Sequence, residues 1–246
     1  MKFQDGLEVV ERCTCVDTQK KQTLLHQARI PKRYEKCTLE NFKLDIDESK
    51  QQAKRVVEYF VRVYPAVEAG LFLMGPPGTG KTHLAVAAIK ILTQEKGVPC
   101  LFYDFRDLLK ALQNSYAKGT KFSELDVLRP VLNTEVLLLD ELGASKISSW
   151  VQDTLAHILN HRYNEKLITL ITSNWMDEDY YNRQNSKMVN RSEETLDDRI
   201  GERLRSRLYE MCQTIQINMT CSDYRQHLHA KNKSLVSQLL KKSDLL

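Results

Sequence analysis

The sequence predicts an α/β protein, a parallel five-stranded sheet flanked by helices, and three observations carry that prediction. A short apolar run at residues 70–74 leads into Gly75-Pro76-Pro77-Gly78-Thr79-Gly80-Lys81-Thr82, and a helical pattern opens at Lys81. Strand, glycine-rich turn and helix are the context in which that spacing cradles phosphate. A further run, 136–139, is continuously apolar, as strands buried on both faces of a parallel sheet are, and 167–171 is a second, largely apolar one. Between the runs lie segments with helical periodicity, and alternating strands and helices imply parallel crossovers in a doubly wound sheet.

The elements follow in order. Residues 1–36 read as polar and irregular, with Cys13-Thr14-Cys15 and a basic step at Lys20-Lys21. Ala53, Val56, Val57, Phe60 and Tyr64 recur at helical spacing over 49–64, and Pro65 ends the helix. After the strand at 70–74 and the glycine turn, Leu84, Ala88, Ile91 and Leu92 form one apolar face of a helix that stops before Gly97. The second strand is 99–103, and Phe105, Leu108, Leu109 and Leu112 mark the next helix, with a polar stretch broken by Gly119 beyond it. Strand three is 136–141; Val151, Leu155, Ile158 and Leu159 place a helix before strand four at 167–174. A long polar loop is expected at 175–194, a helix at 203–211, a last strand at 214–218 and a basic helical tail from Asp223.

Composition sets bounds. The chain has 246 residues, enough for one α/β domain with an appendage. Its 36 basic and 32 acidic residues leave a net charge of +4, too small to point to nucleic acid by itself. Residues 1–6 lack the apolar core of a signal peptide, and no run of about 18 apolar residues occurs, so no membrane span is expected. Cysteines 13, 15, 37, 100, 212 and 221 are spread along the chain, which suits reduced thiols in the cytoplasm. Cys13, Cys15 and Cys37 form an incomplete ligand set for zinc or an iron–sulfur cluster, which needs about four donors. His157 and His161 have a metal-compatible spacing without an intervening Glu, and read as surface or packing residues.

The glycines at 75, 78 and 80 let backbone N–H groups close around phosphate oxygens, with the helix N-terminus beneath the anion. Gly75, Pro76, Pro77, Gly78, Thr79, Gly80, Lys81, Thr82 and His83 are therefore the expected nucleotide-binding residues, with Lys81 on the β- and γ-phosphates and Thr82 on Mg²⁺. Asp140-Glu141, directly after four apolar residues, supplies the carboxylates such a loop requires. Asp140 is expected on Mg²⁺ and Glu141 as the base for an attacking water, which favours ATP hydrolysis over transfer to a small acceptor. Asn174 closes the fourth strand; alone it reads equally as a group beside the γ-phosphate and as a turn residue.

These motifs, followed in order by Gly201-Glu202-Arg203-Leu204-Arg205-Ser206-Arg207-Leu208, resemble the AAA+ ATPases of the DnaC-type helicase-loader and IstB-type transposition-helper group, relatives of DnaA. The resemblance covers about residues 30–230 and includes Ile30-Pro31-x-x-Tyr34 and Thr38-Leu39-Glu40-Asn41-Phe42, similar to the segment bordering the adenine pocket. It implies that Asn174 is the sensor-1 residue. It also implies that Arg207, with Arg203 as rival, is an arginine finger donated to a neighbouring subunit's ATP in a self-oligomer. The implied activity is an ATPase that is weak unless oligomeric or bound to its partner. The implied role is loading the replicative helicase onto single-stranded DNA, or else helping a transposase on duplex DNA. Two departures stand out: too little chain for a full helical lid follows the last strand, and the N-terminal cysteines look like the remains of a larger module. The expected division is 1–36 as a partner-binding or remnant cysteine segment, 37–222 as the ATPase domain and 223–246 as the tail.

Overall fold

A computed structural model describes residues 2–4, 7–9, 14–44, 47–117, 123–144, 148–177, 194–218 and 224, with side chains from residue 18 onward. The chain opens with an antiparallel pair, β1 (Lys2–Gln4) and β2 (Leu7–Val9), followed by α1 (Thr14–Gln27). After these come α2 (Glu48–Val63), β3 (Gly70–Met74), α3 (Lys81–Gln94), β4 (Cys100–Asp104), α4 (Phe105–Ser115) and α5 (Glu124–Asn133). The described elements end with β5 (Val136–Asp140), α6 (Ser149–Asn164), β6 (Ile168–Ser173), α7 (Leu196–Ile200), α8 (Glu202–Met211) and β7 (Cys212–Gln216).

The sheet order is β4-β5-β6-β3-β7, and every neighbouring pair is parallel. Side chains alternate across a strand, so each central strand feeds two cores. Leu71, Leu73, Leu138 and Leu170 face α2 and α3, while Phe72, Met74, Leu137, Leu139 and Ile171 face α4, α5, α6 and α8. β3 and β5 are buried along their whole length, which explains their unbroken apolar composition. Parallel strands also share one carboxyl edge. The ends of β3, β5 and β6 therefore meet where a doubly wound sheet binds its ligands.

The helices follow from their starts and faces. Asp47 caps α2 by accepting from the Ser49 N–H, and Asp104 caps α4 by accepting from the N–H groups of Arg106 and Asp107. Two helices were not foreseen. α5 and α7 each begin with a reciprocal capping box, Ser123 with Asp126 and Thr195 with Asp198. Their short apolar patterns, and Pro130 inside α5, hide them from periodicity. The N-terminal region also departs from the irregular expectation. α1 packs on α3, Lys21 donates to the Glu95 carbonyl at 2.9 Å, and the Phe102 N–H donates to the Ala28 carbonyl at 2.8 Å. The last strand begins at Cys212 and ends at Gln216, two residues earlier than its apolar pattern suggested. Most of the expected loop at 175–194 and the basic tail beyond Tyr224 lie outside the described residues, as do Cys13, Cys221 and the Cys15 side chain.

Candidate functional site

Two glycines decide the shape of the loop between β3 and α3. At Gly80 the backbone takes φ 95°, and a Cβ there would stand 2.4 Å from the Phe42 ring. At Gly75 a Cβ would stand 2.7 Å from the Ile217 carbonyl oxygen. Only glycine admits both the conformation and the approach. Gly80 is also the N-cap of α3 and offers no side-chain cap, so the first N–H groups of the helix remain available for an anion. Thr79 Oγ1 donates to the Pro76 carbonyl at 2.9 Å and stiffens the turn. Lys81 is only 5% exposed; its ammonium donates to the carbonyls of Gly75 at 2.7 Å and Pro76 at 2.8 Å, lying across the loop.

Beside the loop, Asp140 ends β5 with 2% exposure. Its Oδ1 accepts from Thr82 Oγ1 at 2.8 Å and from Thr172 Oγ1 at 2.5 Å. Burial raises the Asp140 carboxyl above its usual range, the two hydroxyls oppose that rise, and the charges of Glu141 and Asp104 add to it. Thr172 was not foreseen as a site residue. The β5–β6 register sets Leu139 against Ile171 and so brings Thr172 beside Asp140, a neighbourhood that only strand order creates. The Thr172 hydroxyl also accepts from the Glu141 N–H at 3.0 Å.

Glu141 has φ 59°, a left-handed conformation uncommon outside glycine and associated with functional turns. Its Oε2 pairs with Arg106 Nη2 at 3.0 Å, so the first turn of α4 reaches across to the end of β5. For a magnesium ion the residues fit: the Thr82 hydroxyl and the Asp140 carboxylate are adjacent hard oxygen donors at the helix-opening end of the loop.

A cavity of about 380 Å³ joins these groups. Gly78, Thr79, Gly80, Lys81, Thr82, His83, Glu141, Thr172 and Asn174 line it, so the structure gathers most of the expected residues around one space. Its other end is lined by Arg33, Tyr34, Asn41, Phe42 and Lys50. There the Thr38 N–H donates to Asn41 Oδ1 at 2.9 Å, the Asn41 N–H to Thr38 Oγ1 at 3.2 Å and Asn41 Nδ2 to the Lys36 carbonyl at 2.6 Å. His83 Nε2 lies 2.8 Å from the Thr38 carbonyl, its ring stands edge-on to Phe42, and burial holds its pKa below the ordinary histidine value. Cys37 lines the same end; burial raises its thiol, and it packs in the core.

The arginines lie elsewhere. Neither Arg203 nor Arg207 lines the cavity. Arg203 is exposed on α8. Arg207 stacks over the Tyr163 ring, 4.4 Å from its centroid, and pairs with Glu210 at 2.9 Å. No group of three or more His, Cys, Asp or Glu among the described residues is arranged to hold a metal, and His157 and His161 form no such site there. No helix among them is long and apolar enough to cross a membrane.

A glycine loop on a helix N-terminus, a strand-end Asp-Glu and a polar residue closing the intervening strand, on this sheet order, define a P-loop protein of the AAA+ class. The chain belongs to the family described as IstB-like ATP binding protein, whose pattern matches residues 1–230. Among its relatives is the uncharacterized protein YqaM of Bacillus subtilis (strain 168), 28% identical over 82% of this chain. The replicative helicase loader DnaC of Escherichia coli (strain K12) is 26% identical over 65% of it. This chain spans 61% of the length of the first and 64% of the second. A crystal structure of the DnaC helicase loader is 32% identical and aligns over 76% of this chain and 100% of that one, with a TM-score of 0.63.

Proposed function

We propose that this protein binds ATP with Mg²⁺ in the cavity, hydrolyses it, and uses the cycle to load a replicative helicase onto single-stranded DNA. The observation that carries the chemistry is the bonded set Thr82–Asp140–Thr172, to which the Glu141 N–H is tied, with Asn174 lining the same cavity. Lys81 leaves the carbonyls of Gly75 and Pro76 for the β- and γ-phosphates, while the loop N–H groups hold the remaining oxygens. Glu141 accepts the proton of the attacking water and Asn174 positions that water against the γ-phosphate. Thr82 and Asp140 would hold Mg²⁺, which when bound would supply positive charge to the phosphate oxygens.

Arg207, with Arg203 as the alternative, serves the ATP of a neighbouring copy; both lie outside their own cavity, which suits action in trans. The helicase partner is supported by the helicase-loader role of the DnaC relatives. A second reading, an ATPase helper of a transposase on duplex DNA, rests on the family match over residues 1–230.

Lys81→Ala is expected to abolish nucleotide binding in calorimetry. Glu141→Gln is expected to retain binding and to hydrolyse ATP about 10²–10⁴-fold more slowly; normal turnover would remove Glu141 as the base. Size-exclusion chromatography with light scattering then separates the two roles. A nucleotide-sensitive complex with the host's replicative helicase supports loading, and ATP-dependent assembly on duplex DNA without that complex supports the helper.

A further inference from the structure

The phosphate end of the cavity is fixed by the glycine loop, so the end lined by Asn41, Phe42 and His83 receives the nucleoside. The hydrogen bonds there assign the tautomer of His83. The Thr38 carbonyl can only accept, so His83 Nε2, 2.8 Å away, must carry the hydrogen. In the neutral ring Nδ1 is then a bare acceptor. Among the described residues nothing else bonds to the ring, and His83 lines the cavity. The surroundings hold the imidazole in place. Phe42 fills the space over Gly80 and meets the ring edge-on, 5.4 Å between centroids. The Thr38–Asn41 bonds lock the carbonyl that the ring donates to.

Neighbouring groups sharpen the demand on the ligand. The Asn41 side-chain oxygen, at the same end, already accepts from the Thr38 N–H, so the free acceptor offered there is His83 Nδ1. An acceptor fixed in this setting favours a ligand that offers a donor. Adenine carries an N6 amino donor where guanine and hypoxanthine carry an O6 acceptor. Resting on the nucleotide reading above, we infer that His83 is the base-selecting residue: its Nδ1 accepts from the adenine amino group and opposes the O6 of guanosine and inosine triphosphates.

The test is a set of calorimetric affinities of the full chain for ATP, inosine triphosphate, GTP and 2′-deoxy-ATP, with magnesium. The wild-type protein is expected to prefer ATP over inosine triphosphate by about 10-fold, as a half-buried acceptor facing a second acceptor favours. His83→Phe keeps a ring against Phe42 and removes the acceptor. It is expected to bring ATP down to the level of inosine triphosphate while leaving the latter nearly unchanged. His83→Gln carries both an amide donor for Thr38 and a carbonyl acceptor, and should restore part of the preference.

An equal loss for all nucleotides in His83→Phe, with an unchanged thermal midpoint, would make His83 a structural strut and overturn the inference. A penalty that falls on 2′-deoxy-ATP and vanishes in His83→Phe would place the acceptor on the ribose and overturn it as well. A wild-type chain that binds ATP without discriminating against inosine triphosphate would overturn the inference alone. One that binds no nucleotide would overturn the nucleotide reading itself, and the inference with it.

Discussion

Arg162 is fully buried, yet among the described residues it pairs with no carboxylate. Its guanidinium donates to Thr169 Oγ1 at 2.9 Å and to the carbonyls of Val131 at 3.0 Å, Thr134 at 2.8 Å and Ile168 at 2.6 Å. These carbonyls cluster at the C-terminus of α5, the negative end of the helix dipole, and at the start of β6. Burial pulls the pKa down to about 9, and only the planar fork reaches all four acceptors. Arg162→Met is therefore expected to cost about 3 kcal/mol or more in urea unfolding, because several buried carbonyls lose their partners together. Arg162→Lys should recover little of it.

Two buried thiols make a second prediction at the same scale. Burial pushes both Cys100 and Cys212 up to about 12. A thiol that ionises near its ordinary value when unfolded but stays protonated when folded makes the native state bind more protons between those limits. Stability is then complete below about pH 8.5 and falls as pH rises toward 12. Thermal midpoints measured from pH 7 to 11 should decline, and the decline should be shallower in the Cys100→Ala, Cys212→Ala double variant.

At the scale of elements, α1 is tied into the sheet layer. Ala28 at its end is completely buried, its carbonyl accepts from the Phe102 N–H, and Lys21 reaches the Glu95 carbonyl. Removing residues 1–29 would leave an unpaired backbone donor beside β4 and uncover apolar surface on α3. The truncated chain is expected to melt several degrees lower while keeping its phosphate loop, as measured by thermal denaturation and ATP binding. An unchanged midpoint would mean that α1 adds nothing to the fold.

The end of β5 supplies a second case. Arg106, from α4, holds Glu141 by a charged pair at 3.0 Å. That pair sets the direction of the carboxylate at the cavity wall. Arg106→Ala is expected to change the rate of ATP hydrolysis while leaving ATP affinity within about two-fold, since no loop N–H is disturbed. A large loss of affinity in that variant would place Arg106 in nucleotide binding instead.

For the whole molecule, the geometry of α8 bears on assembly. Arg207 is held over Tyr163 and against Glu210, on the face of the sheet layer that carries α6 and α8, away from its own cavity. If it acts on a neighbour's ATP, Arg207→Ala should bind ATP nearly normally, and the rise in hydrolysis with protein concentration should disappear. Such fingers accelerate hydrolysis by about 10³–10⁵-fold. Loss of ATP binding in that variant would mean that Arg207 supports the fold through Tyr163 instead.

Much of this site was legible in the chain because its constraints are local. Phosphate needs a run of small residues with defined spacing, and a strand buried on both faces needs an unbroken apolar run, here ending in an acidic pair. Hence 75–82, Asp140 and Glu141 stand out by pattern, whereas Asn174 alone read equally as a turn residue; the described structure brings them to one sheet edge. The capping pairs Ser123–Asp126 and Thr195–Asp198 were also in the sequence, though their helices are too short for periodicity to reveal.

What the sequence by itself determined was therefore the sheet, the phosphate loop and the acidic pair, each specified by residues close together along the chain. Tertiary structure alone decided that Thr172 bonds Asp140, that Arg162 is a buried strut and not a surface charge, and that Arg207 stacks over Tyr163. It also decided that His83 points its hydrogen at Thr38, 45 positions earlier. These contacts depend on strand order and helix packing, and no spacing between neighbouring residues encodes which distant group a side chain will meet.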